Sequence, residues 1–229
     1  MSAPETALPR RLWQVAGGLA LAHIVLMLAG FTATPISRLG DSAAQALSTY
    51  RSASTTAASI GGAISVLSFV ALLCAVPLFA RLLRGESESG RWLGALIALS
   101  GTLYVGLTLA VPFSASSAAR YEAQHGVPAE TVLAISNLHW FGVFFSTAVL
   151  GVFTAALCAA ALATRRLPRW LSVAGFVPAA LCLAAAVMPP ENVVDDVTLV
   201  WMVWFVLFAV SALRAGRRSR RSVAVPVAV

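Results

Sequence analysis

Long apolar runs with no charged residue near their centres are the feature that most constrains this fold. A soluble domain must cover its core with polar surface, whereas 59% of this chain is hydrophobic and only 11% is charged. Disorder is excluded too, because disordered segments are polar and rich in charge. Backbone polar groups in lipid must be bonded within their own segment, so such runs form helices. The sequence therefore predicts an all-α, polytopic membrane helical bundle.

The apolar runs divide the chain into six predicted spans. A span needs about 20 apolar residues, so a chain of 229 residues has room for about six spans with short loops. We place them at about 12–32, 57–83, 92–111, 139–163, 170–188 and 198–213. Residues 1–214 then form one transmembrane domain, and 215–229 form a basic cytoplasmic tail. We expect Pro112 to end the third span, and Pro77 and Pro178 to remove a backbone donor inside the second and fifth.

The arginines orient the predicted spans. If the N-terminus is cytoplasmic, 13 of the 16 basic residues lie on the cytoplasmic side, and only Arg38, Arg51 and Arg120 lie outside. The positive-inside rule then places both termini in the cytoplasm, which agrees with an even number of spans. The absence of lysine, with abundant alanine and valine, points to a high-GC bacterial genome. We therefore expect a multi-pass protein of the bacterial cytoplasmic (inner) membrane.

The densest charge lies just after the last span. It consists of Arg214, Arg217, Arg218, Arg220 and Arg221. Each arginine at a membrane surface attracts anionic lipid by about 1 kcal/mol. We expect anionic lipid at the cytoplasmic face to be a partner, besides the surrounding membrane lipid. We expect no nucleic acid, because the charge is not gathered on a soluble domain.

Small residues recur every four positions along the third span. They are Gly94, Ala98, Thr102, Gly106 and Ala110. Small side chains let helix backbones approach closely in lipid. We expect this stripe to pack inside the bundle; contact with a second copy or with a membrane-protein partner is the alternative.

Two predicted outer segments carry helix-start signals. Asp41 is a candidate N-cap for a short helix from Ala43. Pro128 is a candidate start for a helix that continues through His139 into the fourth span. Tryptophans are expected at the membrane boundaries, with Trp13, Trp92 and Trp170 on the inner side and Trp140 and Trp201 on the outer side.

Two histidines are the residues of the predicted spans best suited to bind a ligand or carry a proton. His23 lies roughly 16 Å into its helix at 1.5 Å per residue, near the midplane, where an ionisable residue is a functional candidate. The alternative is a neutral imidazole bonded to a neighbouring hydroxyl. His139, close to Asn137, lies near the outer end of its span and is either an interfacial polar residue or a ligand.

Hydroxyl groups in neighbouring spans complete the candidate binding site. We expect them to line a shared polar pocket, or else to bond local carbonyls. The candidate ligand-binding set is His23, Tyr104, Thr108, Asn137, His139 and Ser146.

The sequence carries no recognised catalytic, metal or cofactor motif. Cys74, Cys158 and Cys182 lie inside apolar runs without metal-ligand spacing, and three histidines cannot supply the two pairs of a two-haem cytochrome. The nine carboxylates all lie outside the apolar cores. We expect no catalytic residue, no metal and no cofactor.

Three functions stay open at this point. The favoured one is a non-enzymatic membrane protein that acts through helix packing, lipid or partner contacts. The second is a small-molecule permease or carrier with a polar site around His23, and the third is a membrane enzyme or redox component that uses His23 or His139. A polar cavity reaching one face favours the carrier, whereas a fully packed bundle favours the first.

The order of several short motifs resembles the six-helix bacterial membrane proteins of domain-of-unknown-function family 4386. The motifs are Gly17–Gly18 with Gly30, Gly40–Asp41–Ser42–Ala43–Ala44, Leu138–His139–Trp140–Phe141–Gly142 and Leu167–Pro168–Arg169–Trp170–Leu171. The resemblance covers about residues 10–214 and implies no established activity. It singles out His139 as the motif residue whose side chain could bind a ligand or take part in a reaction.

Overall fold

The computed structural model describes residues 7–33, 35–187 and 191–218, and these ranges are helical with no β-strand. The helices are α1 (Ala7–Thr32), α2 (Ala43–Ser52), α3 (Thr55–Leu83), α4 (Glu88–Thr108), a π-helical turn (Leu109–Phe113), α5 (Ser114–Gln124), α6 (Ala129–Thr164), α7 (Arg169–Ala174), α8 (Phe176–Ala185) and α9 (Glu191–Arg218). The prediction of an all-α membrane bundle is confirmed.

Five helical segments of the described ranges are long and apolar enough to cross a membrane. They are Arg10–Thr32, Thr55–Leu83, Glu88–Gln124, Ala129–Thr164 and Val193–Ala215. The fifth predicted span corresponds to a shorter apolar segment, Arg169–Ala185. The chain is therefore a multi-pass membrane protein, and the six predicted spans correspond, in the described ranges, to these five long helices and this shorter apolar segment.

Six helices pack side by side in a closed ring. In order round the ring they are α1, α3, α4, α6, α8 and α9, and α9 returns to α1. Large aromatic side chains fill the interior, and Phe79, Phe153 and Trp201 are fully buried. We call the end where α1 ends and α3, α6 and α9 begin the distal end; it is the end predicted to face outside.

Pro112 does not end the third helical segment, as the sequence led us to expect. The helix passes through Pro112 in the π-helical turn and continues as α5 to Gln124. A π turn is wider than an α turn, and it accommodates a proline that has no N–H to donate. Ser114 Oγ donates to the Leu109 carbonyl over 3.1 Å within this turn. Residues beyond the predicted span thereby join the bundle.

The other two prolines differ in their effect. α3 continues through Pro77 without a break. Pro178 leaves the carbonyl of Ala174 without its usual donor, and the segment breaks at Gly175. A Cβ at Gly175 would also lie 2.5 Å from the Trp204 ring, so glycine is needed there for close packing.

The distal end is built largely as predicted. α2 precedes α3, and α6 starts after Pro128 and runs through His139. The cap of α2 is Ser42, however, in a capping box with Gln45. Asp41 instead accepts from Ser37 Oγ over 3.0 Å and from the Arg38 N–H over 2.8 Å.

Candidate functional site

A partly open cavity of about 630 Å³ lies at the distal end of the bundle. Its inner part is apolar, with the buried side chains of Met27, Phe69 and Leu150 among the lining residues. Hydroxyls and the His139 imidazole lie on the same walls; they include Tyr104, Thr108, Ser116, Ser146, Thr147 and Thr198. A ligand in this space would meet an apolar surface together with several polar groups.

α5 forms one wall because it is amphipathic. Its lining residues follow a helical spacing of three and four; they are Ser116, Ser117, Arg120, Tyr121 and Gln124. On the opposite face Ala115, Ala119 and Ala123 are buried, and α5 packs on α2 and α6. The polar face of α5 is therefore turned toward the cavity.

The cavity extends between α3 and α5, and residues of both helices line it. α3 packs against α1 and α4, whereas α5 packs against α2 and α6. One hydrogen bond joins the two helices, in which Gln124 Nε2 donates to Thr55 Oγ1 over 3.3 Å. Ser59 and Ala63 of α3 line the cavity and are exposed. These helices therefore diverge beside the cavity and leave lining residues exposed.

His139 is held in place by the π-helical turn. Its Nδ1 lies 2.8 Å from the carbonyl oxygen of Pro112. A carbonyl only accepts, so Nδ1 carries the proton and Nε2 is left as an acceptor. A Cβ at Gly142, one turn along α6, would lie 2.6 Å from Val111. Gly142 therefore permits the close approach that brings His139 to Pro112.

Three other predicted site residues share this cavity with His139. Tyr104, Thr108 and Ser146 all line it. Thr108 Oγ1 donates to the Tyr104 carbonyl over 2.7 Å, and Ser146 Oγ donates to the Gly142 carbonyl over 2.5 Å. Their protons are engaged locally, so these two hydroxyls offer lone pairs to a ligand. Asn137 is half-buried and is not among the lining residues.

His23 lies in a separate environment, among α1, α3 and α9. It is fully buried, and its Nδ1 lies 3.1 Å from the Ser68 carbonyl and 2.8 Å from Ser68 Oγ. Ser68 Oγ in turn donates to the His23 carbonyl over 2.8 Å. Nε2 has no hydrogen-bond partner in the part of the chain that the structure describes.

Phe69 lies between His23 and the cavity. Its ring centroid is 5.3 Å from that of His23, and the same ring lines the cavity. His23 itself is not among the lining residues. The structure therefore brings together four of the six predicted ligand-binding residues and leaves His23 and Asn137 apart.

Three charged cavity residues were not predicted. They are Arg38, Arg120 and Asp195. Arg120 is half-buried, and Asp195 interacts electrostatically with Arg38. The signal for Arg120 was its spacing from Ser116 and Gln124 on one helical face, but Pro112 was expected to end the helix before that face began.

The predicted lipid-binding arginines lie mostly beyond the described side chains. Arg214 is exposed near the end of α9. The side chains of Arg217 and Arg218, and the residues Arg220 and Arg221, lie outside the described part of the chain. Their contact with anionic lipid stays a prediction.

In the described residues, no group of three or more His, Cys, Asp or Glu side chains is arranged to hold a metal ion. The model of one protein family, described as a domain of unknown function (DUF4386), matches residues 15–215. No curated protein and no solved structure matches the chain.

Proposed function

The chain belongs to the DUF4386 family, and we propose that it is a carrier that binds a small amphipathic molecule in the distal cavity. The observation that supports this is the cavity itself, which combines an apolar inner part with polar walls and an opening. Its volume of about 630 Å³ falls within the 300–1,000 Å³ range of small-molecule sites.

A bundle that acts only through packing has no use for such a space. Cavities remove van der Waals contacts and reduce stability. The polar groups also converge from several helices, since Thr108 comes from α4, His139 and Ser146 from α6 and Thr198 from α9. Both features favour a binding role over a structural one.

The polar groups suit binding better than catalysis. His139 is oriented by the carbonyl of Pro112, and among the described residues no hydroxyl or thiol is hydrogen-bonded to it, as an activated nucleophile would be. Thr108 and Ser146 donate to backbone carbonyls of their own helices. These groups provide fixed acceptors, as a ligand-binding wall requires.

The location is proposed from the arginines. With 13 of 16 on one side, both termini lie in the cytoplasm of a bacterium and the cavity opens on the other side of the cytoplasmic membrane. The carrier would then take up its ligand from outside or from the outer leaflet.

Cysteine labelling tests the proposal. In a background with Cys74, Cys158 and Cys182 replaced by Ala, Ser146→Cys places a thiol on the cavity wall. A membrane-impermeant methanethiosulfonate reagent should modify it in lipid nanodiscs, and decanol, a neutral amphiphile, should slow that reaction. Ser48→Cys, exposed on α2, should react without protection.

Two glycines provide a matched pair for blocking the cavity. A Cβ at Gly62 or at Gly18 has no neighbour within 4 Å, but only Gly62 lines the cavity. Gly62→Phe should therefore slow labelling at Ser146→Cys, whereas Gly18→Phe should not. An unreactive Ser146→Cys beside a reactive Ser48→Cys, or labelling that neither decanol nor its carboxylate analogue decanoate slows, would overturn the proposal.

A further inference from the structure

We propose that Arg120 binds the anionic group of the ligand, which is therefore an amphiphile with one carboxylate or phosphate group and an apolar tail. This inference rests on the proposed function and names the ligand class of the same cavity.

The first observation is the state of the Arg120 side chain. Its Nε is buried and has no hydrogen-bond partner among the residues that the structure describes. A guanidinium stays charged in proteins, and a buried charged donor without a partner reduces stability. An anion in the cavity would satisfy it.

The second observation is the charge balance of the wall. In the described ranges, the charged lining residues are Arg38, Arg120 and Asp195. Two arginines and one aspartate leave one positive charge on the wall uncompensated, and no carboxylate is paired with Arg120 in the described ranges. A cavity with low-dielectric walls and one uncompensated charge attracts ions of the opposite sign.

The chemistry of the ligand follows from the groups around Arg120. A guanidinium pairs with carboxylate or phosphate oxygens through two parallel hydrogen bonds. Ser117 and Gln124 lie on the same face of α5, and both are exposed polar residues of the wall. The apolar side chains of Phe69 and Phe113 line the same space and fit an alkyl or aromatic tail. A lipid headgroup and a free organic acid both have this chemistry.

The test compares ligands that differ only in their headgroup. Decanoate and decyl phosphate should protect Ser146→Cys at about 10-fold lower concentration than decanol, because a charged hydrogen bond contributes on that order. Decyltrimethylammonium should not show this advantage. Arg120→Gln should abolish the advantage of the anionic compounds. Arg120→Lys keeps the charge but not the two parallel N–H donors, so it should retain part of that advantage.

Arg51→Gln is the matched control. Arg51 lies at the same end, donates to the Ala123 carbonyl and is not on the cavity wall. Its loss should leave the advantage of decanoate unchanged.

The charge of the labelling reagent gives a second measurement that needs no Arg120 variant. Anionic sulfonatoethyl methanethiosulfonate should modify Ser146→Cys faster than its cationic trimethylammonium analogue, relative to their rates at Ser48→Cys.

The outcomes separate this inference from the carrier proposal. Equal protection by decanol and decanoate, or an advantage that survives Arg120→Gln, would overturn the role of Arg120 and leave the cavity as a binding site. No protection by either compound would overturn both proposals.

To separate a lipid headgroup from a free organic acid, nanodiscs of phosphatidylcholine are compared with nanodiscs containing phosphatidylglycerol. Protection by phosphatidylglycerol alone indicates a lipid, whereas protection by added decanoate but not by phosphatidylglycerol indicates a free acid.

Discussion

The Nε2 atom of the His23 ring is buried and has no hydrogen-bond partner in the described part of the chain. Phe69, Trp201 and Phe205 surround the ring at centroid distances of 5.3, 6.3 and 6.4 Å. Ser68 bonds to the other nitrogen and to the His23 carbonyl. His23 thereby ties α1 to α3, and we expect its role to be structural.

Replacement of His23 separates this role from ligand binding. His23→Ala removes the bonds to Ser68 and leaves a space among aromatic rings, so we expect a loss of about 2 kcal/mol or more in unfolding free energy. The melting temperature in detergent should fall. His125→Ala, at an exposed residue near the distal end, should leave it unchanged. Unaltered melting of His23→Ala together with lost decanol protection at Ser146→Cys would contradict the structural role.

The cavity residues differ in how far the sequence could predict them. Tyr104, Thr108 and Ser146 stand out as polar groups in apolar runs, and the motif resemblance singled out His139. Arg120 could not be placed, because its position depends on a helix that continues through Pro112. That continuation is a property of the wider turn and its packing against Gly142, which no local pattern encodes.

At the level of helices, the four-residue stripe of α4 is not its packing face. Each step of four turns the helix by about 40° beyond a full circle, so Gly106 has rotated about 120° away from Gly94. A Cβ at Gly94 would lie 3.2 Å from the Ala80 carbonyl, whereas one at Gly106 has no neighbour within 4 Å. The buried face instead includes Ile97, Gly101 and Tyr104.

This difference can be measured with two alanine substitutions in the same helix. A Cβ at Gly101 would lie 2.6 Å from Val76 and 2.8 Å from Phe153. Gly101→Ala should therefore destabilise the protein by about 1–3 kcal/mol, which lowers the melting temperature. Gly106→Ala should leave the melting temperature unchanged or raise it slightly, since alanine favours helix. A larger loss at Gly106 than at Gly101 would contradict the observed packing.

Tryptophan placement also depends on packing between helices. Trp92 and Trp170 are 63% and 61% exposed, as boundary residues would be. Trp201 was predicted at the outer boundary, but it is fully buried and its Nε1 donates to Thr154 Oγ1 over 2.9 Å. An indole N–H inside a bundle needs such a partner, and the partner comes from another helix.

For the molecule as a whole, the apolar runs were enough to predict a helical membrane bundle, and the predicted family resemblance is confirmed. The break within the fifth span was not predicted, because it depends on Pro178 and on the close packing of Trp204 beside Gly175. The cavity was not predictable either. It results from which helix faces meet and from the divergence of α3 and α5.

The orientation of the whole molecule remains a prediction, and it can be tested with two thiols. Ser48 lies at the distal end, and Ser87 lies at the start of α4 on the opposite end; both are exposed. With cytoplasmic termini, an impermeant reagent added to intact cells should label Ser48→Cys and miss Ser87→Cys. Labelling of Ser87→Cys alone would invert the topology, and detergent-opened cells provide the positive control for both.

The gap between α3 and α5 determines how an oily compound would reach the binding pocket. The two helices are joined there by one side-chain hydrogen bond, from Gln124 to Thr55, so we expect an alkyl chain dissolved in the bilayer to enter between them sideways. Occupancy would then follow how much of the compound dissolves in the surrounding bilayer. Apparent affinities measured against total aqueous concentration would shift with the amount of lipid in the assay.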